Sequence, residues 1–391
     1  MGGSMGTVGH FSAMTRADDP SASRRRSVWI ASVMCALCTV AQAQVWAVAG
    51  PGEPAATENA GVWIERLQSA ATSQSYEGTL VFSAGSVVSS SRVAHYAHDG
   101  QAWEQIEALD GRAARSYRYN DSVVSFWPDK RVVTIGQRDE TWASPLRSVP
   151  HERLQAHYDV RLVGTDLVAG RRVQVLLLSP RDEWRYARRL WLDAASGLML
   201  RADVLGARGE VLESSSFSAI EIGVRPQAET VRAAMRRTSG WQVLAMPSVP
   251  VRLQSEGWSL GAGLPPGFQL TGCVRKPVVV PATEPRVASE PGAAAAVPGA
   301  TSGLQAGPAG GAARTERPAA DTLHAVFSDG LTRVSMFIEP QPAGRPAQTI
   351  ATRLGATHTL VQPLGEQWRL VLMGEVPVST LRRFAAALER R

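Results

Sequence analysis

The apolar positions of this chain first follow a helical period and then switch to a strand period. Over Glu58–Ser73, Trp63, Leu67 and Ala70 fall on one face with Ile64 and Ala71 beside it, which predicts an amphipathic helix. Short apolar-rich runs follow at Gly78–Ser83, Arg92–His98, Ala102–Ala108, Val123–Trp127 and Arg131–Gly136. Asp99-Gly100, Asp110-Gly111 and Asn120-Asp121 punctuate them. Asp-Gly between such runs predicts hairpins, because a type I′ turn needs positive φ at both central residues. Ser144–His157 breaks the alternation and reads as a second helical piece. Strands resume at Val160–Gly164, Arg172–Ser179, Tyr186–Leu192, Leu198–Leu205 and Val211–Ile222, with turns at Ser196-Gly197 and Arg208-Gly209. The expectation is one antiparallel meander of about eleven strands.

A curved antiparallel sheet with helices on one side makes an open barrel whose concave face can form an apolar pocket. Trp103, Phe126, Trp127, Trp142, Tyr186 and Trp191 are either its lining or ordinary core aromatics. After this large domain (58–222), the polar, Arg-rich stretch 223–240 with Pro226 reads as a linker. Residues 241–391 then predict a smaller α+β domain. Its strands include Phe268–Cys273, Leu323–Ser328, Leu331–Glu339, Ala356–Val361 and Gln367–Gly374. A closing helix at Val378–Leu388 presents Leu381, Phe384, Ala385 and Leu388 on one face. The fold class is therefore mainly β with helices, a large open β-barrel domain followed by a smaller α+β one. Within the second domain, residues 277–320 hold 7 Pro, 6 Gly and 13 Ala and no aromatic, a composition that cannot bury a core. They read as a disordered insertion between two strands.

The segment before the first helix changes the compartment. Arg24, Arg25 and Arg26 precede an uncharged, mostly apolar run from Val28 to Val40, and Ala41-Gln42-Ala43 supplies small residues for cleavage before Gln44. Residues 1–43 read as a signal peptide and 44–57 as a tether, which places the mature chain in the periplasm. Cys35 and Cys38 leave with the signal, so Cys273 alone remains and an intrachain disulfide is excluded. The formal charge of +6 falls to +4 without residues 1–43, and Lys130 and Lys276 are the only lysines. That mild, arginine-borne charge does not predict nucleic-acid binding. It reflects either base composition of the gene or a surface that grips phosphates and carboxylates.

Catalytic patterns are missing from the sequence. It contains no nucleophile elbow, phosphate-binding Gly-rich loop or zinc-protease helix motif. His95 and His98 are three apart on a strand, so they point to opposite faces and cannot share a metal ion. Cys273 lies in an apolar strand without a nearby base, as an inert thiol would. No enzyme activity, metal site or cofactor is expected. One stretch does stand out. From Arg181 to Asp193, the residues Arg181, Arg185, Arg188 and Arg189 alternate with Trp184, Tyr186 and Trp191. It reads either as a two-faced strand with snorkelling arginines or as an amphiphile site, with guanidinium forks for phosphates and aromatics for acyl chains. With Trp103, Phe126 and Trp127 these residues form the candidate amphiphile set.

The same stretch, with Ser196–Leu200, Gly209–Glu213 and Glu221–Gly223, resembles the RseB/MucB family of sigma-E regulatory proteins. Tyr76–Phe82 is similar to the family's first strand. Leu264-Pro265-Pro266-Gly267-Phe268, Ser328–Leu331, Val334–Pro340 and Gly374–Pro377 are similar to its C-terminal domain. The resemblance runs from about Glu58 to Ala386 outside the insertion. It implies a large domain similar to the lipoprotein carriers LolA and LppX. It also implies binding to the periplasmic part of the anti-sigma factor RseA/MucA, shielding of that partner from regulated proteolysis, release by lipopolysaccharide or related amphiphiles, and self-association. Ser328, Asp329, Gly330, Leu331 and Phe337 are the expected partner-binding set. A lipid or lipoprotein carrier, or an envelope enzyme acting on glycan through paired carboxylates, remain the rival readings.

Overall fold

The computed structural model describes residues 60–120, 122–137, 151–277, 321–341 and 348–390. The predicted signal segment and tether, Trp142, the start of the helical piece expected at Ser144, and the insertion from 278 to 320 lie outside the described residues. Helix α1 (Ala60–Ser73) is followed by strands β1 (Tyr76–Ala84), β2 (Val87–His98), β3 (Gln101–Ala108), β4 (Arg115–Tyr119), β5 (Ser122–Trp127) and β6 (Val132–Gln137). Helix α2 (His151–His157) leads into β7 (Tyr158–Val168), β8 (Arg171–Pro180), β9 (Ala187–Asp193), β10 (Met199–Leu205) and β11 (Val211–Ile222). Next come α3 (Ala228–Met235), β12 (Gln242–Met246), β13 (Val249–Pro250), β14 (Trp258–Leu260), β15 (Gln269–Pro277), β16 (Asp321–Ser328) and β17 (Arg333–Pro340). The chain closes with β18 (Ile350–Leu354), β19 (Thr357–Leu364), β20 (Trp368–Gly374), α4 (Val378–Ala387) and β21 (Leu388–Arg390).

The first sheet has 12 strands in the order β12-β6-β5-β4-β3-β2-β1-β11-β10-β9-β8-β7. It consists of two meanders rather than one, β1 to β6 and β7 to β11, joined where β1 pairs antiparallel with β11. Its ends, β12 and β7, do not meet, so the sheet stays open. Turn chemistry sets several registers. Asp99 (φ 47°) and Gly100 (φ 72°) close β2–β3, and Ala169 (φ 49°) and Gly170 (φ 75°) close β7–β8 without an Asp or Asn.

Two helices cover one face of the second meander. Trp63, Ile64 and Leu67 of α1 and Leu154 of α2 pack with Leu176, Leu178, Leu190 and Leu192. The first meander is covered elsewhere. Val231 of α3, with Trp241 behind it, packs on Ala94, Tyr96, Trp103, Tyr117, Val124, Phe126 and Val133. The stretch expected as a linker thus supplies a helix to the large domain. Beyond it, β12 adds to the large sheet by parallel pairing with β6, from Gln242↔Val132 to Met246↔Gly136.

The second sheet, β13-β15-β16-β17-β20-β19-β18, lays one face on α4. Phe327, Met336, Leu372, Leu381 and Phe384 are fully buried there. Burying such a side chain stabilises by about 1.5–3 kcal/mol. Cys273 belongs to this core, and burial pushes its thiol up to about 11. Among the described residues no helix is long and apolar enough to cross a membrane.

Candidate functional site

The candidate residues from 181 to 191 divide by strand parity. On β9, Arg188, Leu190 and Leu192 share one face, and Arg189 and Trp191 share the other. Arg185 precedes the strand in the turn that faces the second domain.

Arg185 and Asp329, expected on two separate surfaces, meet each other. Both side chains are 0% exposed, and the Arg185 Nε–H donates to Asp329 Oδ2 at 2.5 Å. Arg185 also donates to the Asp182 carboxylate and to the Pro266 carbonyl oxygen. The Tyr158 hydroxyl donates to Asp329 Oδ2 at 2.8 Å. The other oxygen, Oδ1, accepts the backbone N–H groups of Leu331 (2.9 Å) and Thr332 (2.7 Å), which shapes the turn between β16 and β17. Burial works against the Arg185 guanidinium, but the Asp329 carboxylate outweighs it and holds the group above its ordinary value. Burial and the same carboxylate hold the Tyr158 hydroxyl well above its usual range. Leu331 packs into the α1–α2 cluster of the large domain. This turn is therefore a plug between the domains, with Ser328, Asp329, Gly330 and Leu331 all buried. Phe337 sits elsewhere, stacked on His324 at 4.2 Å.

A second polar cluster lies along the same seam. Arg188 donates to Glu375 Oε2 at 2.5 Å. Glu213 of β11 is buried and accepts the Ala356 N–H at 3.1 Å. Burial, then the facing Glu375 charge, pushes the Glu213 carboxyl up to about 7. Tyr186 stacks on His358 at 6.4 Å, and the Thr380 hydroxyl donates to the Trp184 carbonyl at 2.9 Å. Glycine permits the approach. Gly355 has φ 57°, and a Cβ there would lie 2.7 Å from that of Ala84; at Gly267 (φ 83°) it would overlap the His157 ring. Arg185, Arg188, Trp184 and Tyr186 thus contact the second domain, while Arg181 is exposed.

Arg189 and Trp191 line a groove of about 330 Å³ with Val163, Gly164, Thr165, Asp166, Val175 and Leu177. The Trp191 indole N–H donates to Asp166 Oδ2 at 3.0 Å, and the Arg189 guanidinium carbon lies 5.8 Å from the Trp191 ring centroid. The groove sets the apolar side chains of Val163, Val175, Leu177 and Trp191 beside one arginine, Arg189, and one carboxylate, Asp166. Trp103 and Phe126 do not join it; they lie under α3, where Arg232 sits 5.5 Å from the Trp103 ring. Trp127, next to Phe126 on β5, points to the opposite face. The aromatics grouped from sequence therefore occupy several environments. The residues missed from sequence are Tyr158, Glu213 and Glu375. A single buried acid in a strand carries no local pattern, and its partner lies 143 or more residues away.

Comparison with known proteins places this two-domain arrangement. Sequence models of the MucB/RseB N-terminal domain and the MucB/RseB C-terminal domain match residues 59–235 and 252–389. The Pseudomonas aeruginosa protein described as sigma factor AlgU regulatory protein MucB is 28% identical over 338 residues, covering 83% of this chain and 89% of that protein. The sigma-E factor regulatory protein RseB of Escherichia coli K12 is 26% identical over 224 residues, covering 57% of this chain and 69% of that protein. A solved complex of Pseudomonas aeruginosa MucA/MucB contains a chain 25% identical, with a TM-score of 0.58, covering 85% of this chain and 99% of that one. These relatives are regulatory proteins, and with both domain models matched in order, the chain belongs to the MucB/RseB family.

Proposed function

We propose that the chain is a periplasmic negative regulator of an envelope stress response. It holds the periplasmic part of an anti-sigma factor of the RseA/MucA type, shields it from proteolysis and releases it when an anionic amphiphile such as lipopolysaccharide binds. The observation that supports the partner is the correspondence, over 99% of its length, with a chain whose solved complex contains MucA. The site supports a binding rather than a chemical role. Its charged groups are committed to holding two domains in register.

In this reading the amphiphile enters the groove at Arg189 and Trp191, its anionic head on the guanidinium and its chains on Val175, Leu177 and Val163. Arg185, Arg188, Asp329 and Leu331 act on the partner by setting how the domains face it. A ligand can displace a partner only if it favours the released state differentially. The test is retention of a purified anti-sigma periplasmic segment on the immobilised protein, with and without lipopolysaccharide. Retention that falls on adding lipopolysaccharide, and falls less in Arg189→Glu, is expected. Equal retention with and without it overturns the release step, and absence of binding overturns the partner.

A further inference from the structure

The seam between the domains carries two polar clusters of different character. Around Arg185 both carboxylates, Asp182 and Asp329, bond the one guanidinium, with a tyrosine hydroxyl and two backbone amides completing the shell. Around Glu213 charge is frustrated. Two carboxylates, Glu213 from the large domain and Glu375 from the small one, lie by the single guanidinium of Arg188, and among the described residues Arg188 donates to Glu375. The hydrogen bonds Glu213 receives are neutral: the Ala356 amide of the β18–β19 turn at 3.1 Å and the hydroxyl of Thr357, the first residue of β19.

We propose that Glu213, Glu375 and Arg188 form a proton-sensitive latch between the two domains, closed when Glu213 is protonated and loosened when both carboxylates are charged. The Arg185–Asp329 cluster is the pivot that stays closed. The latch is independent of the partner proposed above, so it can fail while that reading stands.

Three observations carry the latch. Glu213 is 5% exposed, so its charged form has little water to solvate it. Its contact to Ala356 crosses the seam, so opening restores water to the carboxylate. The turn that bears Ala356 approaches Ala84 and the Leu212 carbonyl at Gly355 so closely that no Cβ would fit between them, so the two domains meet backbone to backbone beside Glu213. Among the described residues, charged and titratable groups reach this point from several elements. Arg188 comes from β9 and Glu375 from the segment before α4. Arg353 of β18 donates to the Gly355 carbonyl oxygen at 2.7 Å and acts on Glu210 and His358. His358 of β19 is held below its ordinary value by burial, against the pull of a bond to the Val376 carbonyl oxygen. Arg188 itself stays charged, since Glu375 outweighs its burial.

The direction follows from linkage. In the closed seam Glu213 titrates at about 7, and in an opened seam it returns toward the ordinary 4.5. Between these values the closed form binds more protons, so closure is fully supported below about 4.5 and the support is lost as pH rises through about 7. The open-to-closed ratio then changes by up to about tenfold per pH unit inside that window.

The test uses the chain from Gln44, in which Cys273 is the remaining cysteine and is buried, labelled with a dye pair at Arg208→Cys and Ile350→Cys. Both positions are exposed, on opposite sides of the latch. Energy transfer in the otherwise unaltered chain is expected to fall as pH rises from about 5 to 8, with the ratio changing at least tenfold. Glu213→Gln, neutral at every pH, should stay high and flat. Glu375→Gln, which frees Arg188 for an ionised Glu213, should also stay closed. A flat profile in the unaltered chain, or the same titration in Glu213→Gln, overturns the latch.

Discussion

Asp329 performs two tasks with two oxygens, and they can be separated. Oδ1 closes the turn by accepting two amides, while Oδ2 neutralises Arg185 across the seam. Asp329→Asn keeps an oxygen for the amides and removes the charge. Arg185 is then left in a 0%-exposed site with Asp182 as its carboxylate. Breaking a buried pair from one side typically costs about 3–5 kcal/mol, because the remaining charge is uncompensated. Urea denaturation should show a loss at the lower end of that range. Adding Arg185→Met to Asp329→Asn should recover part of it, since removing the guanidinium takes away the charge that the first change left uncompensated. A double variant less stable than Asp329→Asn would show that Arg185 is held by Asp182 and Pro266 rather than by Asp329. Both residues were conspicuous in the sequence, Arg185 in an arginine-aromatic stretch and Asp329 in a Ser-Asp-Gly turn. Their pairing was not legible, because they are 144 residues apart and nothing local encodes a tertiary partner.

At the level of elements, the seam is shaped by where backbone comes close. Gly355 needs both of its freedoms: φ is 57°, and the space for a Cβ is taken by Ala84 at 2.7 Å and the Leu212 carbonyl oxygen at 2.9 Å. Gly355→Ala meets strain and a clash together, and a loss of about 1–3 kcal/mol is expected. Thermal denaturation should register it, and Gly365→Ala serves as the control. Gly365 has a similar φ of 66° but nothing within 4 Å, so its smaller loss isolates the clash. Elements with strong local signals were legible: α1 from its 3.6-residue stripe, β2–β3 from Asp99-Gly100, and α4 from Leu381 and Phe384. The edge strands β12 and β18 were not. Their side chains are largely exposed, so the alternation that marks a half-buried strand is missing, and pairing with β6 and β19 creates them.

On the scale of the molecule, the 277–320 stretch interrupts a hairpin without disturbing it. β15 and β16 pair continuously from Gln269↔Ser328 to Pro277↔Asp321, so the two strands arrive side by side at the point where the stretch begins and ends. Nothing in that register requires a long connection. Replacing residues 278–320 by Asn-Gly should therefore leave the small domain folded, since two residues of that type close an antiparallel pair. Shortening should also stabilise. Closing a loop costs about 0.6 kcal/mol per doubling of length, so trimming to two residues is worth roughly 2–3 kcal/mol at constant strain. A rise in the small domain's urea midpoint checks this. Pro277 sits at the last pair and is compatible with a strand end, where a missing N–H costs least. The same variant separates structure from function. If retention of the anti-sigma segment is unchanged while the midpoint rises, the stretch is a tolerated insertion at a hairpin tip. If retention falls while the midpoint still rises, the stretch itself takes part in holding the partner, because the fold beneath it has only become more stable.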